Sequence, residues 1–262
     1  MSVNQPDQVE AAPAVPEQKL PRDAANWAGM VSRLHAEARP GAKGDNVSGR
    51  KLMGPVQGFG QMWQKTYTVD VGPDVTPQQA IGAWKADFGS FWPRGNLFHG
   101  ALTGIAPGDV ALLDLSMPGG VRLSTGVMVL YADDESFTLM TPQGHMFAGW
   151  ITNSAFELDG TTIVQAQVLM RANDPMYEIG MMLFAHKTED KFWHDTLEKL
   201  AAYLGAPGRE HTKSVVIVDK KRQWRRAGNI WHNAAIRTVL QIVLSPVTRV
   251  VRRLRRAPSG TG

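Results

Sequence analysis

The sequence predicts an α+β fold in which a curved antiparallel sheet wraps around one long C-terminal helix. Three observations carry the prediction. A strand from Trp63 to Val71 leads directly into a short helix. Alternating segments follow and end in a hairpin at Asp159-Gly160. A single long helix then opens at Asp174-Pro175. A sheet curled around a helix leaves space between the two, so an apolar cavity is expected there.

Each element has a local cause. Tyr67, Val69 and Val71 alternate with Thr66, Thr68 and Asp70, the period-2 signature of a half-buried strand. Thr76-Pro77 opens a helix with Ile81, Trp84, Phe88 and Phe91 at helical spacing, and Pro93-Arg94-Gly95 stops it. Val110 to Ser116, Val121 to Tyr131 and Phe137 to Thr141 read as strands. Phe147 to Leu158 and Thr161 to Arg171 are joined by Asp-Gly, a strong short-range hairpin signal. In the last strand Val164, Ala166, Val168 and Met170 share one face. Asp174 suits the cap of the closing helix, Pro175 its first position and Gly205 the residue after its end. Its start, Met176 to Phe184, is apolar almost all round and needs cover on most sides.

The body is therefore set at 62–206. Residues 1–61 read as a disordered and linker region with a short helix near 21–38, where Trp27, Met30, Val31 and Leu34 fall on one face. Residues 207–262 read as a basic amphipathic tail. Residues 209–262 hold 13 Lys and Arg against only Glu210 and Asp219, whereas residues 1–208 carry an excess of acids. Along this tail Val239, Leu240, Val243 and Val247 oppose Arg249, Arg252, Arg253 and Arg256, with Trp224 inside a second basic cluster. That pattern reads as attachment to an anionic membrane surface, through Trp224, Leu240, Val243, Arg249, Arg252, Arg253 and Arg256. Nucleic acid is the less favoured partner, because the apolar side runs on without interruption. The apolar content of 43% suffices for a core, and the absence of cysteine excludes disulfides and thiolate chemistry. Met1 to Leu20 holds no apolar stretch of the signal-peptide kind, so a cytoplasmic location, peripheral on the inner membrane face, is expected.

This order of elements resembles the helix-grip, or START-like (SRPBCC), superfamily over about residues 62–206. That superfamily includes polyketide cyclases, carriers of hydrophobic ligands and lipid-transfer domains. An uncharacterised branch carries a Thr-x-x-Gly-His stretch before its final hairpin, similar to Thr141-Pro142-Gln143-Gly144-His145. The branch continues with Gly-Glu where this chain has Gly149-Trp150. The resemblance implies an enclosed cavity for an apolar small molecule or lipid.

The expected cavity wall is Ile179, Met182, Leu183 and His186 from the closing helix, with Val164, Val168 and Met170 from the last strand. No phosphate-binding loop, nucleophile elbow or paired metal-ligand spacing is present, so no cofactor and no metal are expected. The reading therefore leans toward carriage rather than catalysis. The enzyme alternative is a cyclase or dehydratase using His186 or His145 as its acid–base group. A third class is a protein-interaction module with no ligand. The sequence leaves the oligomeric state open.

Overall fold

The computed structural model describes residues 24–37, 41, 42, 44–101, 104–117, 120 and 122–240, with the side chains of 184 and 185 set aside. One eight-stranded antiparallel sheet dominates, in the order β2-β3-β4-β5-β6-β7-β1-β8. Its strands are β1 (Met62–Gly72), β2 (Leu97–His99), β3 (Val110–Ser116), β4 (Arg122–Ala132), β5 (Ser136–Met140), β6 (Phe147–Leu158), β7 (Thr161–Ala172) and β8 (His211–Asp219). Helix α1 (Pro77–Ala86) follows β1. The closing helix runs as α2 (Pro175–Gly180), a π-helical turn (Met181–Ala185) and α3 (His186–Tyr203). This is the α+β helix-grip architecture: a curved sheet with a long helix lying along it.

Local chemistry accounts for the elements. The Thr76 side chain accepts from the Gln79 N–H while Gln79 reaches back to the Thr76 N–H, a capping box with Pro77 at the first helical position. Asp174 accepts from the N–H groups of Met176 and Tyr177, which starts α2. Asp159 and Gly160 both take positive φ, at 51° and 78°, as a two-residue hairpin turn requires. The main core lies between the sheet and the helices. Trp84, Ile81, Phe137, Val69, Val164, Leu197 and Leu200 are all buried there.

Three expectations are corrected. Among the described residues 24–37, the helix expected near 21–38 reduces to one 3-10 turn, Ala24–Asn26. The chain then runs along β4: Trp27 bridges Tyr131, their rings 4.7 Å apart, and the Ala28 N–H donates to the Leu130 carbonyl. The bridge to β4 and the ring contact outweigh a weak local helical pattern. Residues 44–61 are not a bare linker, because Leu34 and Val47 join Leu112 and Met128 in a second small core and Phe59 is buried. Residues 211–219, grouped with the tail, form β8 and extend the sheet beyond β1. Their alternation, with Val215 to Val218 exposed on both faces, gave no core signal to read.

The segment after β8 also belongs to the body. A 3-10 stretch, Trp224–His232, is followed by a helical turn over 234–240. Buried Arg171 donates to the carbonyls of Gly60 and Lys221 and pairs with Asp219. Asn233 donates to Asp174 at 2.7 Å, and Arg222 pairs with buried Glu178 at 2.8 Å. Val243, Arg249, Arg252, Arg253 and Arg256 lie outside the described residues. Among those described, no helix is long and apolar enough to cross a membrane.

Candidate functional site

A cavity of about 180 Å³ lies between the sheet and α3. The sheet contributes Leu113, Val127, Leu139, Ile151, Val168 and Met170. The chain after α1 adds Phe88 and Trp92, and α3 adds Glu189, Phe192 and Trp193. The rings interlock edge to face: Phe88 on Trp92 at 5.6 Å, Trp92 on Phe192 at 5.2 Å and Phe192 on Trp193 at 5.0 Å.

Polar groups are few. Glu189 is the charged residue on the wall, only 8% exposed. Its Oε2 accepts from Lys65 Nζ at 2.8 Å, and its Oε1 has no partner. Lys65 also donates to Asp190 at 2.9 Å, and Asp190 accepts from Tyr67 at 2.7 Å and Lys213 at 2.9 Å. Two cations thus face two carboxylates. Burial pushes the Glu189 carboxyl up to about 7, against the pull of Lys65. Burial works the same way on Asp190, but the bonds from Lys65, Lys213 and Tyr67 outweigh it and hold that carboxyl down at about 2. Neighbouring carboxylates are thereby split: one stays ionised and the other changes charge near neutrality.

His145 also lines the cavity and is buried. Its Nδ1 lies 3.0 Å from the Phe147 N–H, which donates to it when that nitrogen is bare, and 3.2 Å from the Phe147 carbonyl, which accepts from it when that nitrogen is protonated. Burial holds this imidazole down at about 4, although the Phe147 carbonyl, an acceptor for the protonated ring, pulls upward, so it is neutral at pH 7. The Thr-x-x-Gly-His stretch has a structural explanation. Thr141 Oγ1 bonds both the N–H and the carbonyl of Gly149, tying β5 to β6. Gly144 takes φ +93°, and a Cβ there would meet the His232 carbonyl at 2.1 Å. The glycine admits the C-terminal segment while the turn presents His145 inward.

Of the expected wall residues, Val168 and Met170 face the cavity. Val164 is buried in the core beyond it. The placement of Ile179, Met182, Leu183 and His186 is corrected. Ile179, Met182 and Leu183 are exposed, Leu183 at 72%. His186 sits off the wall, its ring 4.7 Å from Trp63, and burial and the nearby Lys65 lower its pKa. The inward face is already set in α2 by Tyr177 and Glu178 and continues at Met181, which leaves Ile179, Met182 and Leu183 on the outer side. A run apolar on all sides cannot announce its inward face, and here Tyr177, Glu178 and Met181 took it. Trp224 is exposed at 74% and Leu240 is exposed as well.

Sequence reasoning missed Lys65 and Glu189. The signal was present, because Lys65 falls on the same strand face as Tyr67, Val69 and Val71. No group of His, Asp and Glu among the described residues could hold a metal.

The strand order, the helix lying along the sheet and the cavity between them define a helix-grip protein. No family model and no curated protein matches the chain. Similar solved structures include the di-domain ARO/CYC StfQ from the steffimycin biosynthetic pathway, with 8% identity and TM-score 0.43, covering 55% of this chain and 50% of that one. KanY (ms6282) shows 13% identity and TM-score 0.42, over 56% and 99%. Ms6760 from Mycobacterium smegmatis shows 14% and 0.39, over 54% and 90%. The assignment to the helix-grip class rests on the chain's own topology.

Proposed function

We propose that this chain holds a small apolar molecule between sheet and helix. The observation that carries the reading is the cavity itself, whose wall is mainly aliphatic and aromatic. An apolar cavity of 150 Å³ in a well-studied model protein is large enough for benzene. At about 180 Å³, this one suits a molecule of about one ring better than the acyl chains of a lipid. Three tryptophans on the wall, Trp92, Trp150 and Trp193, supply the signal for a test. Titration with ethylbenzene should quench their emission saturably at one molecule per chain. A linear, non-saturating response would count against the reading.

Catalysis is the second reading, favoured by a wall carboxyl raised to about 7 and a neutral histidine lining the same cavity. It requires turnover that follows a group near neutrality and is lost when Glu189 and His145 are replaced.

Peripheral attachment to an anionic membrane, on a cytoplasmic face, completes the proposal. It is supported by the exposure of Trp224, Trp231, Val239 and Leu240 close in sequence to Lys220, Lys221, Arg225 and Arg226. The full chain should sediment with phosphatidylserine-containing vesicles at low salt and be released at high salt, because screening shortens the reach of the charges. Sedimentation independent of both lipid charge and salt would contradict it.

A further inference from the structure

Two buried polar atoms on the cavity wall lack a partner: Glu189 Oε1 and Trp92 Nε1. The groups around Glu189 are already committed. Lys65 Nζ divides its bonds among Glu189 Oε2, Asp190 and, at 3.5 Å, the His186 carbonyl. Tyr67 and Lys213 are bound to Asp190. Among the described residues, nothing donates to Oε1. Leaving a buried acceptor unpaired costs about 1–3 kcal/mol, more when it is charged. A leucine at this position would avoid that cost, and Lys65 would still keep Asp190.

The indole of Trp92 is a donor only, and its ring is fixed by Phe88, Phe98 and Phe192. The wall, mostly apolar but with His145, Thr141, Thr188, Asn96 and Ser116 on it, therefore carries one buried acceptor and one buried donor without a partner. Both await a guest that is itself mostly apolar. Resting on the cavity reading, we propose that the ligand is an apolar molecule of about one ring that carries a hydroxyl donating to Glu189 Oε1, with the Trp92 N–H donating to an acceptor on the same molecule. The rigid Lys65–Asp190–Tyr67 support makes Glu189 a preformed acceptor.

The test compares probes of one shape by calorimetry on the full chain at pH 8, where Glu189 is ionised. The probes are ethylbenzene, 4-ethylanisole, 4-ethylphenol and 4-hydroxyacetophenone, the last adding an acceptor for the Trp92 N–H. A charge-assisted hydrogen bond predicts that 4-ethylphenol binds at least about tenfold tighter than ethylbenzene, and that 4-ethylanisole gains nothing. In Glu189→Gln the advantage of 4-ethylphenol over ethylbenzene should shrink to about twofold. In Trp92→Phe the preference for 4-hydroxyacetophenone over 4-ethylphenol should fall. A second readout needs no variant: the Glu189 carboxyl carbon resonance should shift with 4-ethylphenol and not with ethylbenzene. Equal binding of phenol and hydrocarbon, or an unmoved Glu189 resonance, overturns the hydroxyl assignment and leaves the cavity reading intact. If no probe binds, both fall together.

Discussion

At the scale of the residue, Glu189 and His145 share a cavity and respond to acid in opposite senses. The carboxyl of Glu189 is raised from 4.5 to about 7, so the folded chain binds more protons than the unfolded chain between those values. Its contribution to stability is favourable at low pH and is lost as pH rises through that window. For His145, lowered from 6.5 to about 4, the unfolded chain binds more protons, so stability is lost as pH falls from 6.5 to 4. Replacing His145 by Gln should therefore flatten the acid limb of a melting-temperature profile, by on the order of 3 kcal/mol across the window. Replacing Glu189 by Gln should remove the decline between pH 4.5 and 7. A change of the reverse sign in either profile would refute the corresponding placement. A further contrast tests the corrected helix face. Leu183→Asp, on an exposed position, should shift stability by no more than about 0.5 kcal/mol. Leu197→Asp, at a fully buried position, should prevent folding. Circular dichroism melts of both separate the corrected face from the expected one. The core residues Tyr67, Val69, Val168 and Met170 were legible because strand periodicity names a face. Glu189 was not, because the meaning of a carboxyl on a helix depends on Lys65, more than a hundred residues away.

At the scale of the element, the strands from β3 to β7 and both main helices were legible, because each carries its own punctuation: the Asp159-Gly160 turn, the Thr76-Pro77 start and the Asp174-Pro175 start. β8 was not, since all its residues are exposed or half-buried and it exists through pairing with β1. The π turn was hidden for a related reason, as no residue type marks it. Asp174 shows how an element boundary becomes a tertiary joint. Its Oδ1 caps α2 while its Oδ2 accepts from Asn233. Asp174→Ala should cost more than the ~1 kcal/mol typical of a lost cap, because buried Asn233 loses its acceptor as well. Hydrogen exchange should show the amides of Ala234 and Ala235 losing protection in this variant. Unchanged protection there would mean that the C-terminal segment docks without the cap. Gly144→Ala should loosen the same segment, given the close approach of the His232 carbonyl and the positive φ.

At the scale of the whole molecule, the boundary of the folded unit moves from 206 to at least 240. A chain cut after 208 loses β8, exposes the full edge of β1 and leaves the buried Arg171 guanidinium without Asp219 and the Lys221 carbonyl. Such a chain should be markedly destabilised or insoluble, whereas one ending at 240 should melt close to the full length. Differential scanning calorimetry of the two distinguishes them, and the 1–240 chain becomes the proper control for the role of the terminal arginines in vesicle binding. The central claim is the apolar cavity, and filling it is the most direct test. Val168 lies on its wall, and Val168→Phe puts a ring into the space without adding a charge. The measurement is a calorimetric titration of ethylbenzene against the parent chain and this variant, with melting temperatures recorded for both. The account predicts one-to-one binding by the parent and none by Val168→Phe, whose melting temperature is equal or higher. Equal binding by the two chains, or no binding by the parent, would contradict it.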